Sequence, residues 1–231
     1  MNPLSLKYRA NFWDKAASGH NENFTDPIVF EDPINIEKLS QYLPMHASVL
    51  DFGCGYGRIT NELYQSGFED VKGVDISPKM LERAKNTFPH LEDNLFIYNG
   101  ETLPFEDDSF DAITAFTVLN AIPTDALLEK IFIEFRRILK KSGIIYLYEF
   151  MLTPFDRDVK RYDEFQKNNP EMPYGTFEHK SGCIMRHFDN ETIEQNLLKE
   201  FNILWQDSFE FKSMSGNPCV HDQWIARINK K

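Results

Sequence analysis

An α/β fold, built on a mostly parallel twisted sheet with helices on both faces, is what this sequence predicts, and three observations predict it. Strand-like apolar runs alternate with amphipathic helix-like runs between residues 47 and 150, the order that folds into parallel strands joined by helical crossovers. The first run, Ala47 to Phe52, opens into a turn with Gly53, Gly55 and Gly57 on alternate positions. The next, Val71 to Ile76, closes around the carboxylate of Asp75. A glycine turn entering a helix, beside a strand that ends in an acid, is where open α/β sheets take nucleotide-like ligands.

Taken in order, Leu6 to Ala17 reads as a short amphipathic helix carrying Tyr8, Phe12 and Trp13. Ser18 to Pro33 is polar and aperiodic and reads as a connection. Ile36, Leu39 and Leu43 then recur at helical spacing over Ile34 to Leu43, with Pro44 as the stop. Behind the glycine turn a helix spans Arg58 to Ser66. Ser77-Pro78 opens another that runs to Phe88, because Ser at the cap and Pro at the first helical position are a favoured start.

Leu95 to Tyr98 is a short third strand, followed by Asn99-Gly100-Glu101, a strong turn former. The acidic turn Glu106 to Asp111 precedes a fourth strand, Ala112 to Phe116. It lacks the glycine and spaced glutamate of a calcium loop. Thr124 to Lys140 gathers Leu127, Leu128, Ile131, Phe132, Phe135 and Ile138 on one helical face. Gly143 is expected to end that helix, with a fifth strand from Ile144 to Phe150. A late helix near Asn190–Glu200 and two strands, Phe201–Phe211 and Asp222–Ile228, complete the sheet, one of them antiparallel.

The 231 residues are expected to form one domain. Its parts are an N-terminal helical segment over 1–46, a ligand-binding core over 47–150 around the glycine turn, a segment over 151–189 rich in aromatic and cationic residues, and a C-terminal helix with strands over 190–231. A formal charge of −11 disfavours nucleic acid and anionic membranes as partners. Cys54, Cys183 and Cys219 are an odd, widely spaced set, as expected of a reduced cytoplasmic protein, and no run approaches a membrane span. His179, His187 and His221 form no ligand pair at recognised spacing, so no metal is expected.

Asp51 followed by Gly53, Gly55 and Gly57, then Asp75, then Asn99 ahead of Leu-Pro-Phe, resembles the class I S-adenosylmethionine-dependent methyltransferases, and within them the small-molecule, UbiE-like branch. The resemblance covers about Val49 to Phe150. It implies a Rossmann-like sheet of seven strands, S-adenosyl-L-methionine as cofactor and methyl transfer to a small molecule, by a monomer or homodimer. It further implies that Asp51 supports the methionine end, lined by Gly53, Cys54, Gly55 and Gly57. Asp75 would hold the ribose, Ile76 one adenine face, and Asn99, Gly100 or Glu101 the adenine edge. Phe116 would lie where the fourth strand meets the ligand. Tyr8-x-x-x-Phe12-Trp13-Asp14 is similar to the lid helix of several members, which would set Tyr8 and Trp13 beside the methionine end.

Two other readings compete. A nicotinamide-dependent oxidoreductase shares the sheet and the ribose acid, but Arg58 stands where its fingerprint has glycine, and no Tyr-x-x-x-Lys relay is present. A non-catalytic cofactor-binding module is compatible with Leu119-Asn120-Ala121, which offers no acid or base after the fourth strand. Substrate contacts are expected from 151–189, where Arg157, Arg161, Tyr162, Tyr174, Phe177, His179, Arg186, His187 and Phe188 cluster. Aromatic walls with cationic tips suit a small substrate carrying an anionic or polar group.

Overall fold

A computed structural model describes residues 6–18, 34–179, 182–212 and 217–230. The connection expected over 18–33 lies, from residue 19 onward, outside the described residues.

The strands form where apolar runs can be buried on both faces. β1 (Ser48–Phe52), β2 (Asp70–Asp75), β3 (Leu95–Ile97), β4 (Phe110–Phe116) and β5 (Leu139–Phe150) pair in parallel. Alternation sorts their side chains between two layers. Leu50, Ile113, Ala115, Ile145 and Leu147 face one core, with Phe132 and Phe135 of helix α5 (Asp125–Ile138, the fifth helix in chain order). Val49, Ala112, Phe116, Ile144, Tyr146 and Tyr148 face the other, with Leu39 of α2 (Ile36–Ser40) and Ile59 and Leu63 of α3 (Arg58–Gln65).

The remaining elements are α1 (Leu6–Ser18), α4 (Pro78–Thr87), α6 (Asp156–Asn168), the short hairpin β6 (Thr176–Glu178) and β7 (Ile184–Arg186), a π-helical turn Glu191–Leu197, β8 (Phe201–Lys212) and β9 (Pro218–Ile228). The main sheet has seven strands in the order β3-β2-β1-β4-β5-β9-β8. β9 runs antiparallel to both neighbours, so it alone is reversed in this sheet. From β1 the chain builds outward in both directions, which makes the carboxyl ends of β1 and β4 the switch point, the place where such sheets open a crevice.

Local chemistry fixes the helix starts. Ser77 Oγ accepts from Met80 N at 3.0 Å, with Pro78 behind it, at the head of α4. Asn35 does the same for α2 through Lys38 N at 2.9 Å. α2 is shorter than the periodicity predicts, ending at Ser40.

One boundary is corrected. Gly143 does not terminate α5: the helix stops at Ile138 because Leu139 is already paired with Phe110 in the sheet. Pairing then resumes at Ala112 with Ile144, so residues 140–143 form a bulge within β5.

Candidate functional site

At the switch point the turn after β1 lies beside the ends of β2, β3 and β4. The cleft they form is closed by Leu6, Arg9 and Trp13 of α1 on one side and by Leu127, Lys130 and Ile131 of α5 on another. Its wall includes Asp51, Gly53, Cys54, Gly55, Asp75, Ile76, Gly100 and Phe116, all expected there from the sequence.

The three glycines have different jobs. All adopt positive φ, at 73°, 53° and 84°. A Cβ on Gly53 would lie 2.2 Å from Val118 Cγ2, so this glycine admits the loop after β4. A Cβ on Gly57 would press on Ala84 at 3.2 Å, so this one lets α3 approach α4. Only at Gly55 would a Cβ meet nothing within 4 Å. Bare backbone therefore faces open cleft at that position, a cradle sized for a ligand to approach the main chain.

Asp75 is held against that cradle. Its Oδ2 accepts the Gly55 N–H at 2.9 Å and its Oδ1 the Ser77 N–H at 2.8 Å. Each oxygen keeps a second lone pair open to a further donor. Burial raises its pKa to about 6 against the lowering effect of those N–H groups. Asp51 is deeper: Thr60 Oγ1 donates to it at 2.7 Å and Thr114 Oγ1 at 3.2 Å, which ties β1 to α3 and β4. Burial lifts its pKa to about 6 as well. The Cys54 thiol is buried and pushed well above its ordinary range by that burial, so it is a neutral filler of the turn.

The loop after β4 is pinned from beneath. Glu149, fully buried near the end of β5, accepts the N–H groups of Val118, Leu119 and Asn120 at 3.0, 2.7 and 3.2 Å. Burial raises its pKa to about 8. Thr117 sits in the left-handed region at φ 49°, a strained choice for a β-branched residue, and its N–H is held by Tyr148 O at 2.7 Å. On the other flank Arg137 bonds the carbonyls of Leu103 and Phe105 at 3.1 and 2.8 Å, and Glu134 accepts Leu103 N at 2.8 Å, fixing the connection after β3.

Several expected site residues lie off the cleft wall. Asn99 turns its Oδ1 back to the N–H groups of Glu101 and Thr102, at 2.9 and 3.1 Å, so it serves the turn, and both Asn99 and Glu101 are exposed. Tyr8 points away, donating to Gly182 O at 2.6 Å and tethering α1 to the β6–β7 connection. Trp13 does line the cleft, packed with Tyr56 and Met80.

None of Tyr162, Tyr174, His179, Arg186 and His187 lines it. His187 is buried, stacked on Phe150 at 5.2 Å between centroids. Arg161 approaches its Nε2 at 3.4 Å and can only donate, so Nδ1 carries the proton and donates to Tyr162 Oη at 2.7 Å. Burial drives the His187 pKa down to about 3. Tyr174 is exposed and bonds Asp163 at 3.1 Å, and His179 joins the turn closed at Cys183. The arginines of the segment are all paired: Arg157 and Arg161 with Asp158, at 2.7 and 3.0 Å, and Arg186 with Asp125 at 2.5 Å.

Arg9, Lys130, Val118 and Glu149 are among the site residues that sequence reasoning missed. Arg9 occupies the apolar stripe of α1 with Phe12 and Ala16, at spacings of three and four, and a charge in such a stripe is a readable signal. Glu149 interrupts the otherwise apolar and aromatic run Ile144 to Phe150, a signal of the same kind. Among the described residues no group of three or more His, Cys, Asp or Glu is placed to hold a metal ion. No described helix is long and apolar enough to cross a membrane.

Comparison with known proteins agrees with this geometry. A family profile described as "Methyltransferase domain" matches residues 50–147. The ubiquinone/menaquinone biosynthesis C-methyltransferase UbiE of Campylobacter jejuni is 32% identical over 75% of this chain and 78% of its own length. Human methyltransferase-like protein 27 is 30% identical over 62% of this chain and 58% of its own. Among solved structures, an S-adenosylmethionine-dependent methyltransferase from Methanosarcina mazei superposes with a TM-score of 0.77 at 26% identity, covering 87% of this chain and all of that one. With a switch-point cleft in which Asp75 faces an open glycine cradle, the chain belongs to the class I S-adenosylmethionine-dependent methyltransferase family.

Proposed function

We propose that this enzyme transfers a methyl group from S-adenosylmethionine to an O, N, S or C nucleophile of a small molecule, held in the apolar part of the same cleft. The single observation that carries the reading is the cradle, in which Asp75 grips the Gly55 N–H while the missing Gly55 side chain leaves the cleft open above it. In this reading Asp75 holds the ribose through the free lone pairs of its oxygens. The main chain at Gly55 lies against the methionine end, with Asp51 supporting that turn from below. Ile76 and the Gly100 backbone border the adenine.

The cofactor supplies an electrophilic methyl on a sulfonium and leaves as S-adenosylhomocysteine. The work left to the chain is alignment. Phe116, Val118, Ile122 and Leu127 exclude water from one wall, and the Glu149-bound loop keeps Val118 in register with Gly53. Positioning of this kind contributes roughly 7–11 kcal/mol to lowering a barrier. The C-methyltransferase relatives make carbon one acceptor atom to assay beside oxygen, nitrogen and sulfur.

Isothermal titration tests it. S-adenosylhomocysteine should bind in the low-micromolar range, and Asp75→Ala should weaken it at least about tenfold, a loss of roughly 1.4 kcal/mol. Affinity unchanged in that variant removes Asp75 from the ribose role. Absence of binding to the unaltered protein sinks the reading.

A further inference from the structure

The cleft contains a cation that no described carboxylate answers. Arg9 is 8% exposed, lies on the cleft wall, and leaves its Nε without a hydrogen-bond partner. No ion pair joins it to any described carboxylate. A guanidinium buried without an anion is costly, and it persists where a ligand completes it. The groups that bear on it electrostatically are Tyr98 and Cys183, both neutral: burial raises the tyrosine and pushes the thiol up to about 12.

A second cation lines the same cleft. Lys130 of α5, itself exposed to solvent, makes no ion pair with any described residue. In a chain with 36 acidic against 25 basic residues, two unpaired cations in one cleft are a departure from the general balance. The arginines that the sequence offered for anion recognition, Arg157, Arg161 and Arg186, are consumed by Asp158 and Asp125 outside it.

Building on the methyl transfer proposed above, we propose that Arg9, assisted by Lys130, recognises a carboxylate or phosphate on the acceptor, so that the substrate is an organic acid whose apolar body lies against Leu6, Ile122, Leu127 and Ile131. A planar guanidinium matches both oxyanions through paired N–H donors, and partial burial strengthens the contact. The surrounding side chains are hydrocarbon, which suits a hydrophobic acid better than a sugar or polyol. The cofactor's own α-carboxylate is the other source of the same chemistry, and the experiment separates the two.

A deproteinised cell extract is divided on an anion exchanger at neutral pH, and each fraction is incubated with the full chain and methyl-labelled S-adenosylmethionine. Label is expected to pass to acceptors in the retained fraction, and Arg9→Met should lower that transfer at least tenfold while Arg9→Lys keeps a larger share. On the same preparations, S-adenosylhomocysteine and 5′-methylthioadenosine, which lacks the amino-acid tail, are titrated. Both affinities should be unchanged within about twofold in Arg9→Met, which also shows that the variant is folded. Transfer only from the unretained fraction, or from neither, overturns the proposal. So does an Arg9→Met loss confined to S-adenosylhomocysteine, since the anion would then be the cofactor's. Failure of the unaltered protein to bind S-adenosylhomocysteine instead sinks the methyltransfer reading itself.

Discussion

At the scale of single residues, the glycine turn divides into positions that serve the fold and one that faces the ligand, and substitution separates them. Gly53→Ala adds both a left-handed penalty of about 1–2 kcal/mol and a collision with Val118, whose β-branched side chain cannot rotate freely out of the way. Gly55→Ala carries a similar backbone penalty, but its methyl enters open space. Gly53→Ala should therefore lower the melting temperature distinctly more than Gly55→Ala in the ligand-free protein. Gly55→Ala should in turn weaken S-adenosylhomocysteine by at least tenfold. Thermal melts and titration of the two variants check this, and equal melting temperatures would contradict the division.

At the scale of elements, α1 is joined to α4 by an acid whose capping role only the fold shows. Asp14 Oδ1 accepts from Ser77 Oγ at 2.6 Å and Lys79 N at 3.1 Å, so it extends the cap of α4 from a second helix. Asp14→Ala should cost about 1 kcal/mol, the worth of a capping interaction. Its amide exchange should quicken in α1 and the first turn of α4 but stay unchanged in β1 and β4. Equal protection of α1 in both proteins would dismiss the tether. The seven strands of the main sheet and α3, α4 and α5 were legible because each carries its own period, whereas β6 and β7 were not, and the glycine turn followed by Asp75 located the cleft. What was not legible depends on pairing across long sequence distances. Leu139 leaves the helix to meet Phe110, overruling Gly143 as a terminator. Arg186 finds Asp125 across 61 positions, so a cation that looks available in sequence is spent in the fold. Arg9 shows the converse: its place in the apolar stripe of α1 is readable, but only the packing of α1 beside α4 shows that no described carboxylate meets the charge.

At the scale of the whole molecule, buried titratable groups on opposite sides of neutrality bound the pH range of stability. His187 and His221 are buried and depressed to about 3. Their contribution is complete above the ordinary histidine value near 6.5 and is lost as pH falls from there toward 3, since the unfolded chain takes up protons that the folded chain refuses. Glu149, Asp51 and Asp75 act in the reverse sense. Their folded values are raised, to about 8 for Glu149 and about 6 for the two aspartates, so the stability they give is complete below the ordinary carboxylate range and is lost as pH rises through those values. Between about pH 4 and 6.5 the two sets oppose each other. Above about pH 7 the aspartates are ionised and the unfolded chain's histidines largely neutral, and Glu149 becomes the group that dominates, costing stability with rising pH. One proton corresponds to a slope of at most about 1.4 kcal/mol per pH unit. Denaturant melts across about pH 7 to 8 should show stability declining more shallowly than that slope, and Glu149→Gln should abolish the decline while lowering stability at about pH 7, because an amide nitrogen cannot accept the third N–H of the loop. An equally steep decline in Glu149→Gln would mean that the carboxyl is ionised throughout, its charge fully met by the N–H groups of residues 118–120.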